Sequence, residues 1–276
     1  MTPSSSATAA ACQAFRAVIR GPRFLRLRRE YGFAERHILL LALASRSGAH
    51  SDDEGPLEIR VPGKPWIVAA SIPELRIDFS DTTTDGGARL FVSTDERRDG
   101  PPHEIVAYDA SARRWSRFAT LPLNQRLACT EWHGGLLYVA GGKTGEYFDT
   151  YINTFHAFNE TTDSWEELPP MPHACALATS GVIGNQLFIA GGDISTGQPL
   201  GQKTRTLQIY DIASRTWRMG ASLPDSRGSY SMGYVVDGKL CVMNAHDHHG
   251  MPAPVLVYDP QSDTWTEQAL PPSLTA

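Results

Sequence analysis

Histidine and aspartate are concentrated in one short run of this chain of 276 residues: His246, Asp247, His248 and His249. Imidazole and carboxylate groups are ligands for zinc, iron or copper, so this run could hold a metal ion. Adjacent residues on one loop rarely converge on a single ion, and the surrounding sequence offers no clear remote third ligand. We therefore expect no metal and no cofactor, and a metal-dependent enzyme remains a distant alternative.

The four cysteines, Cys12, Cys129, Cys175 and Cys241, are the other candidates for chemistry. None stands in a CxxC pair, so the spacing favours neither a disulfide nor a metal site. Cys129 and Cys175 follow the leucines of two Leu-Pro steps at almost the same distance, which favours small buried residues on inner strands. We find no nucleophile with its base, no phosphate loop and no pair of acids, so no catalytic residue is predicted.

The composition limits the class of protein. The chain has 41% hydrophobic residues, 24 glycines and 19 prolines, which suits a soluble β-rich domain that turns often. A formal net charge of −5 argues against a surface for nucleic acid or anionic membrane. The longest apolar stretch, Ile38 to Ala44, is too short to span a bilayer, and residues 1–21 lack the apolar core of a secretory signal. We expect a cytoplasmic or nuclear protein.

Five tryptophans recur at nearly even intervals along the chain. Trp66, Trp115, Trp165, Trp217 and Trp265 are separated by 49, 50, 52 and 48 residues, so one structural unit repeats. Four of them close a phrase of an aromatic residue, Asp or Asn, a polar turn and Trp: YDASARRW, FNETTDSW, YDIASRTW and YDPQSDTW. The phrase predicts the end of one strand, a tight turn and the start of the next strand.

Glycine pairs and Leu-Pro steps mark the other strand ends of each unit. The apolar runs LLYVAGG and LFIAGG end in Gly141-Gly142 and Gly191-Gly192, which suits places where backbones crowd or φ is positive. Leu-Pro steps follow four of the tryptophans and begin at Leu121, Leu168, Leu223 and Leu270. Because proline has no N–H to donate, each step lets the chain leave a sheet. We expect the five tryptophans and the four glycines to be structural.

This order of strand, glycine pair, loop, Tyr-Asp strand, turn, Trp strand and Leu-Pro step resembles the kelch repeat over about residues 37 to 271. The resemblance implies an all-β fold, a kelch-type β-propeller of about five blades. The first repeat departs from the pattern, because IRVPGKPW lacks the Tyr-Asp pair and ILLL at Ile38 to Leu41 replaces the apolar strand. The second repeat keeps LFVST at Leu90 to Thr94 but has no glycine pair. Since the first repeat starts at its second strand, we expect an incompletely closed ring.

The residues before the propeller have a different pattern. We expect residues 1–8 to be disordered, a helical segment over 9–36, where apolar residues recur at helical spacing, and the propeller over 37–276. The stretch CQAFRAVIRGPRFLRLRREYGFAERHILLL resembles the end of the F-box in plant F-box/kelch proteins. The front half of that box, which grips the adaptor subunit of a cullin–RING ubiquitin ligase, has no counterpart here. A simple helical cap on the propeller is the alternative.

The resemblance also assigns residues that contact a partner. In kelch proteins that bind peptides, the turn entering the inner strand often places Arg or a polar residue at the mouth of the central channel. The matching residues are Arg126, His173, Arg227 and Ser229, and loops after the glycine pairs add Lys143, Tyr147, Asp193 and Ser195. Arginine suits this role because its planar group can bind a carboxylate through two hydrogen bonds. The alternative is that these residues only satisfy carbonyl groups at a strand start.

Two classes of function follow from the resemblance, and neither involves covalent chemistry. In the first, the chain is the substrate-recognition subunit of a cullin–RING (SCF-type) ubiquitin ligase. Its residues 9–31 would contact the adaptor, and its propeller would hold the target protein. In the second, the chain is a stand-alone kelch binding module without ligase contact, because the F-box is truncated. In both, the partner is a protein rather than nucleic acid or a membrane.

Overall fold

The structure is a computed structural model that describes residues 39–41, 58–60, 67–68, 77–85, 89–94, 103–109, 111–112, 114–145, 150–195, 201–225, 232–243 and 254–268. The chain divides into two compact units. The first unit comprises Met1–Glu74, Gly86–Leu90 and Tyr108–Ser116, and the second comprises Leu75–Asp85, Phe91–Ala107 and Arg117–Ala276.

The first unit contains a small antiparallel sheet of three strands. The strands are β1 (Leu39–Leu41), β2 (Glu58–Arg60) and β3 (Ile67–Val68), in the order β1-β2-β3. The strand predicted for ILLL is confirmed as β1. Trp66 and the helical segment predicted over 9–36 lie outside the described residues.

Four sheets of four strands follow, and we number them blades 2 to 5 because they correspond to the second to fifth Trp repeats. Blade 2 consists of β4 (Ile77–Thr84), β5 (Arg89–Thr94), β6 (Glu104–Asp109) and β7 (Arg114–Thr120). Blade 3 consists of β8 (Cys129–His133), β9 (Leu136–Ala140), β12 (Phe155–Asn159) and β13 (Ser164–Glu167). Blade 4 consists of β14 (Thr179–Ile183), β15 (Gln186–Ala190), β18 (Leu207–Asp211) and β19 (Thr216–Met219). Blade 5 consists of β20 (Met232–Val236), β21 (Lys239–Met243), β22 (Val255–Asp259) and β23 (Thr264–Gln268).

Two short hairpins lie between the second and third strands of blades 3 and 4. In blade 3, β10 (Lys143–Thr144) pairs with β11 (Thr150–Tyr151). In blade 4, β16 (Asp193–Ile194) pairs with β17 (Gln202–Lys203). The sequence predicted loops after the glycine pairs, and in the structure the two ends of each loop pair as short antiparallel strands.

The inner strands of the second unit adjoin one another. Strand β4 lies beside β8, β8 beside β14, and β14 beside β20. Apolar side chains fill the spaces between neighbouring blades: Phe91 and Leu137 between blades 2 and 3, Phe155 and Tyr210 between blades 3 and 4, and Phe188 and Tyr258 between blades 4 and 5. Alternate side chains of a strand point to opposite faces, so each blade supplies one row to each neighbouring core.

The predicted Trp hairpins are confirmed in all four blades. In blade 4, Tyr210 pairs with Trp217 across β18 and β19, and their rings are 5.0 Å apart. The turn between them is closed by Asp211, whose Oδ1 accepts the backbone N–H of Ser214 at 2.8 Å. Arg215 completes the turn with a positive φ of 58°. Such a four-residue turn explains why the phrase carries Asp or Asn directly after its aromatic residue.

The indoles of Trp165, Trp217 and Trp265 are only half-buried, although the sequence predicted them inside blade cores. Each indole Nε1 donates to a carbonyl group in the segment that leaves the preceding blade. The three acceptors are the oxygens of Thr120, Pro169 and Ala221, at 2.8, 2.7 and 2.8 Å. The tryptophans therefore connect consecutive blades as well as filling space within one.

The chain leaves the sheet at Leu168-Pro169 as predicted, because β13 ends at Glu167, but this step is not equivalent to the other Leu-Pro steps. Three backbone N–H groups make equivalent hydrogen bonds to backbone carbonyl oxygens: Leu121 to His103, Met171 to Asn153, and Leu223 to Arg205. Met171-Pro172 therefore takes the place predicted for Leu168-Pro169. Cys175 was predicted on an inner strand by counting from Leu168, but it lies in the segment before β14. Cys129 is the first residue of the inner strand β8, as expected.

Candidate functional site

The segments between blades and the loops after the glycine pairs emerge on the same side of the second unit. Within each blade the four strands are antiparallel neighbours, so the connections after the second and fourth strands leave the same edge of the sheet. We call this surface the linker face. Among the described residues it comprises 121–128, 141–145, 150–154, 169–178, 191–195, 201–206 and 220–225.

Arg126 and Lys143, both predicted to contact a partner, are brought together by the backbone. The N–H of Arg126 donates to the carbonyl of Lys143 at 2.9 Å, and the N–H of Lys143 donates back at 2.8 Å. Ala176 and Asp193 form the same reciprocal pair one repeat later, at 3.0 and 2.8 Å. The predicted equivalence of Arg126 and His173 is therefore wrong, because Ala176 is the counterpart of Arg126.

Hydrogen bonds also join the segments of neighbouring blades. The N–H of Leu177 donates to the carbonyl of Leu127 at 3.0 Å, and the N–H of Gly142 donates to the carbonyl of Cys175 at 2.8 Å. Leu127 and Leu177 have φ values of 58° and 56°, which is uncommon for a residue with a branched side chain. The linker face thus has a backbone framework that repeats from blade 3 to blade 4.

His173 lies on an exposed turn, and its backbone is hydrogen-bonded to the side chain of Gln208. Its N–H donates to Oε1 of Gln208 at 2.8 Å, and Nε2 of Gln208 donates to its carbonyl oxygen at 3.2 Å. Gln208 lies on β18 and is completely buried. Gln208 could not be singled out from the sequence, since an isolated glutamine in an apolar strand carries no recognisable motif.

An aromatic residue that sequence reasoning missed, Tyr151, adjoins Lys143. The Nζ of Lys143 lies 4.6 Å from the centre of the Tyr151 ring, a distance at which a cation is attracted to the ring face. The Tyr151 hydroxyl reaches the backbone of blade 4, because a Cβ placed on Gly201 would overlap it. Tyr151 therefore connects the hairpin β10–β11 to the loop that enters β17.

The remaining predicted contact residues differ in accessibility. Asp193 is buried at 8% exposure, so its side chain is poorly placed to meet a partner. Ser195 is exposed, and Arg126 and Lys143 are half-buried. Tyr147, Arg227 and Ser229 lie outside the described residues. Lys203, which the sequence did not single out, is exposed on β17.

The thiol of Cys175 is buried on the linker face. Burial raises the pKa of the Cys175 thiol to about 12, although the hydrogen bond from Gln208 acts in the opposite direction. That thiol therefore stays protonated and is a poor nucleophile at neutral pH. Within the described ranges, no three His, Cys, Asp or Glu side chains are grouped closely enough to hold a metal ion. The run at His246–His249 lies outside those ranges.

The kelch motif matches this chain twice, over residues 128–172 and 174–224. Each match contains one of the Trp hairpins, those of blades 3 and 4. The described secondary structure is all-β, and four of the sheets are blades of a kelch-type β-propeller. The chain therefore carries two kelch motifs, in blades 3 and 4.

Curated proteins similar to the chain are kelch proteins. The chain is 26% identical to Kelch-like protein 40 of Xenopus tropicalis over 60% of its own length and 26% of that protein. It is 27% identical to Kelch-like protein terF of Aspergillus terreus, over 58% of the chain and 36% of that protein. It is 29% identical to Kelch repeat and BTB domain-containing protein 12 of Danio rerio, over 55% of the chain and 27% of that protein. The similarity thus spans about a quarter to a third of these relatives.

In the part of the chain that the structure describes, no helix has the length and apolar character needed to cross a membrane.

Proposed function

We propose that this chain is a protein-interaction module that holds a target protein on the linker face. The observation that carries the proposal is the pair Arg126 and Lys143, which two reciprocal hydrogen bonds fix on a framework repeated in the next blade. A rigid framework lowers the entropy that is lost when a partner binds. The side chains nearby offer cationic, aromatic and hydroxyl groups for recognition.

The finer proposal is that the chain is the substrate-recognition subunit of a cullin–RING ubiquitin ligase in the cytoplasm or nucleus. It is supported by the resemblance of residues 9–31 to the end of an F-box. One relative is named for both kelch repeats and a BTB domain, so kelch repeats occur beside a second domain in that protein. The alternative is a stand-alone kelch binding module that has no contact with a ligase.

Replacing Arg126 and Lys143 together by alanine is expected to weaken capture of the target by about tenfold or more, because interface residues of this type often contribute over 1 kcal/mol each. Their backbone bridge is independent of the side chains, so the fold is expected to persist. Cross-linked partners of the whole chain are identified by mass spectrometry, and the affinity of each is measured for the wild type and the variant.

The matched control for this experiment is the double variant Arg114→Ala and Lys239→Ala. It removes the same number of positive charges from the first residues of β7 and β21, at the ends of these strands opposite to the linker face. If both double variants lose affinity equally, general charge attraction explains capture and the linker face is not the binding surface.

The ligase proposal is tested by binding of the purified adaptor subunit to the whole chain. Direct binding that is lost in the variant Phe15→Glu is expected, because Phe15 belongs to the apolar pattern of residues 9–19. Surface plasmon resonance measures the interaction, and Arg29→Glu provides a control with a larger change of charge outside that pattern. Absence of binding by the wild type would favour the stand-alone module, without affecting the proposal for the linker face.

A further inference from the structure

Glu131 lies where three blades meet. It is in the middle of β8, and hydroxyl groups from both neighbouring inner strands bind its carboxylate. Ser180 on β14 donates from Oγ to Oε1 at 2.8 Å, and Thr83 on β4 donates from Oγ1 to Oε2 at 3.4 Å. Thr83 Oγ1 in turn accepts the backbone N–H of Trp132 at 3.1 Å. One carboxyl group therefore connects the inner strands of blades 2, 3 and 4.

Glu131 is half-buried, and the desolvation of its carboxyl group makes ionisation unfavourable. Loss of contact with water raises the pKa of Glu131 from 4.5 to about 7, while the hydrogen bonds from Ser180 and Thr83 lower it. Within the described part of the chain, no cation is among the influences on this pKa. Because two hydroxyl donors only partly replace water, the charged form remains poorly stabilised.

The neighbouring strands bring few other titratable groups among the described side chains. Tyr138 on β9 lies directly opposite Glu131, and Cys129 and His133 flank it on the same face of β8. Strand β14 has none, whereas β4 carries Asp78 and Asp81, whose side chains lie outside the described part, and Asp85 follows β4. Burial raises the pKa of Tyr138 above its ordinary value, so its hydroxyl stays neutral across the physiological range.

We propose that Glu131 is a proton-sensitive connection between blades: its protonated side chain holds the inner strands β4, β8 and β14 together, and loss of the proton weakens them. The segments that carry Arg126 and Ala176 lead directly into β8 and β14, so this junction lies next to the linker face. The proposal does not depend on what the linker face binds.

The direction of the pH effect follows from linkage between protonation and folding. An acid whose pKa is higher in the folded state stabilises the fold fully below its unfolded pKa, here about 4.5. That contribution is lost as the pH rises through about 7. For a shift of this size, the unfolding equilibrium constant would rise by up to roughly seventyfold between pH 5 and pH 8.

The test is urea unfolding of the whole chain between pH 5 and pH 8, for the wild type and the variant Glu131→Gln. The amide can keep both hydroxyl partners but cannot ionise. We expect Glu131→Gln to equal the wild type near pH 5 and to unfold with an equilibrium constant at least tenfold lower at pH 8. The control Glu267→Gln removes an exposed carboxylate from β23 and is expected to leave the pH profile unchanged.

Two outcomes would overturn the proposal: a constant difference between wild type and Glu131→Gln at every pH, or greater instability of Glu131→Gln at high pH. If Glu131→Gln fails to fold, the pH profile of the variant Ser180→Ala tests the proposal instead. It keeps the carboxyl group but removes a hydrogen bond that lowers its pKa. The pH at which stability falls should therefore move upward in Ser180→Ala, and an unmoved profile would contradict the connection.

Discussion

Replacing Trp217 by alanine is expected to lower the free energy of unfolding by about 3 to 4 kcal/mol. The indole packs against Tyr210 with ring centres 5.0 Å apart and against Phe155 at 5.2 Å, and its Nε1 donates to the carbonyl of Pro169 at 2.7 Å. The variant removes both the packing within blade 4 and the bond to the segment leaving blade 3. We place the effect at the lower end for large core side chains because the indole is half-buried. Thermal and urea unfolding measure the effect.

Two further variants separate the contributions of Trp217. Trp217→Phe keeps much of the aromatic contact but removes the N–H donor, so a loss of about 1 to 2 kcal/mol is expected. Glu267→Ala changes an exposed residue on β23 and should cost less than about 0.5 kcal/mol. Equal stability of Trp217→Ala and Glu267→Ala would show that the indole does not connect the blades.

Replacing Gly141 by alanine is expected to cost about 2 to 5 kcal/mol, from backbone strain and overpacking together. Gly141 has a φ of +68°, which disfavours any side chain. A Cβ at this position would lie 2.5 Å from the carbonyl oxygen of Cys175 and 2.8 Å from the end of the Met171 side chain. Because the Cys175 oxygen accepts the N–H of Gly142, the backbone cannot move away without breaking that bond.

Gly134 offers the matched control for Gly141. Its φ is +60°, and a Cβ there would meet nothing within 4 Å. Gly134→Ala should therefore cost only the backbone strain, about 1 to 2 kcal/mol. The difference in the free energy of unfolding between the two variants, measured with urea, gives the cost of overpacking where the two blades approach closely. Equal values would show that the neighbouring atoms move apart without loss of stability.

The repeat and its strands were predictable from the sequence because they depend on local patterns. The Tyr-Asp turns, the glycine pairs and the apolar runs each specify a backbone shape within a few residues. The wrong alignment at Leu168 has a local cause as well: the stretch LPPMP contains two steps that end in proline, and only hydrogen bonds to the preceding blade distinguish them. The half-buried state of the tryptophans depends on contacts between blades, which no single phrase contains.

The contacts of the candidate site were less predictable than the strands. Arg126 and Lys143 were identified individually, but their pairing requires knowledge of which segment follows which inner strand. One signal for Glu131 was present in the sequence: Thr83, Glu131 and Ser180 stand 48 and 49 residues apart, about one repeat. Superposing consecutive repeats would have aligned these three residues, although it could not have revealed the desolvation of the carboxyl group.

The indole bonds let each blade dock on a part of the polypeptide that is synthesised before it. Each donor, Trp165, Trp217 or Trp265, is translated 44 to 48 residues after the carbonyl that accepts its hydrogen bond. A newly made blade can therefore dock at once on a segment that has already left the ribosome. Growth of the propeller can thus proceed from the amino-terminal side, each completed sheet serving as the template for the next.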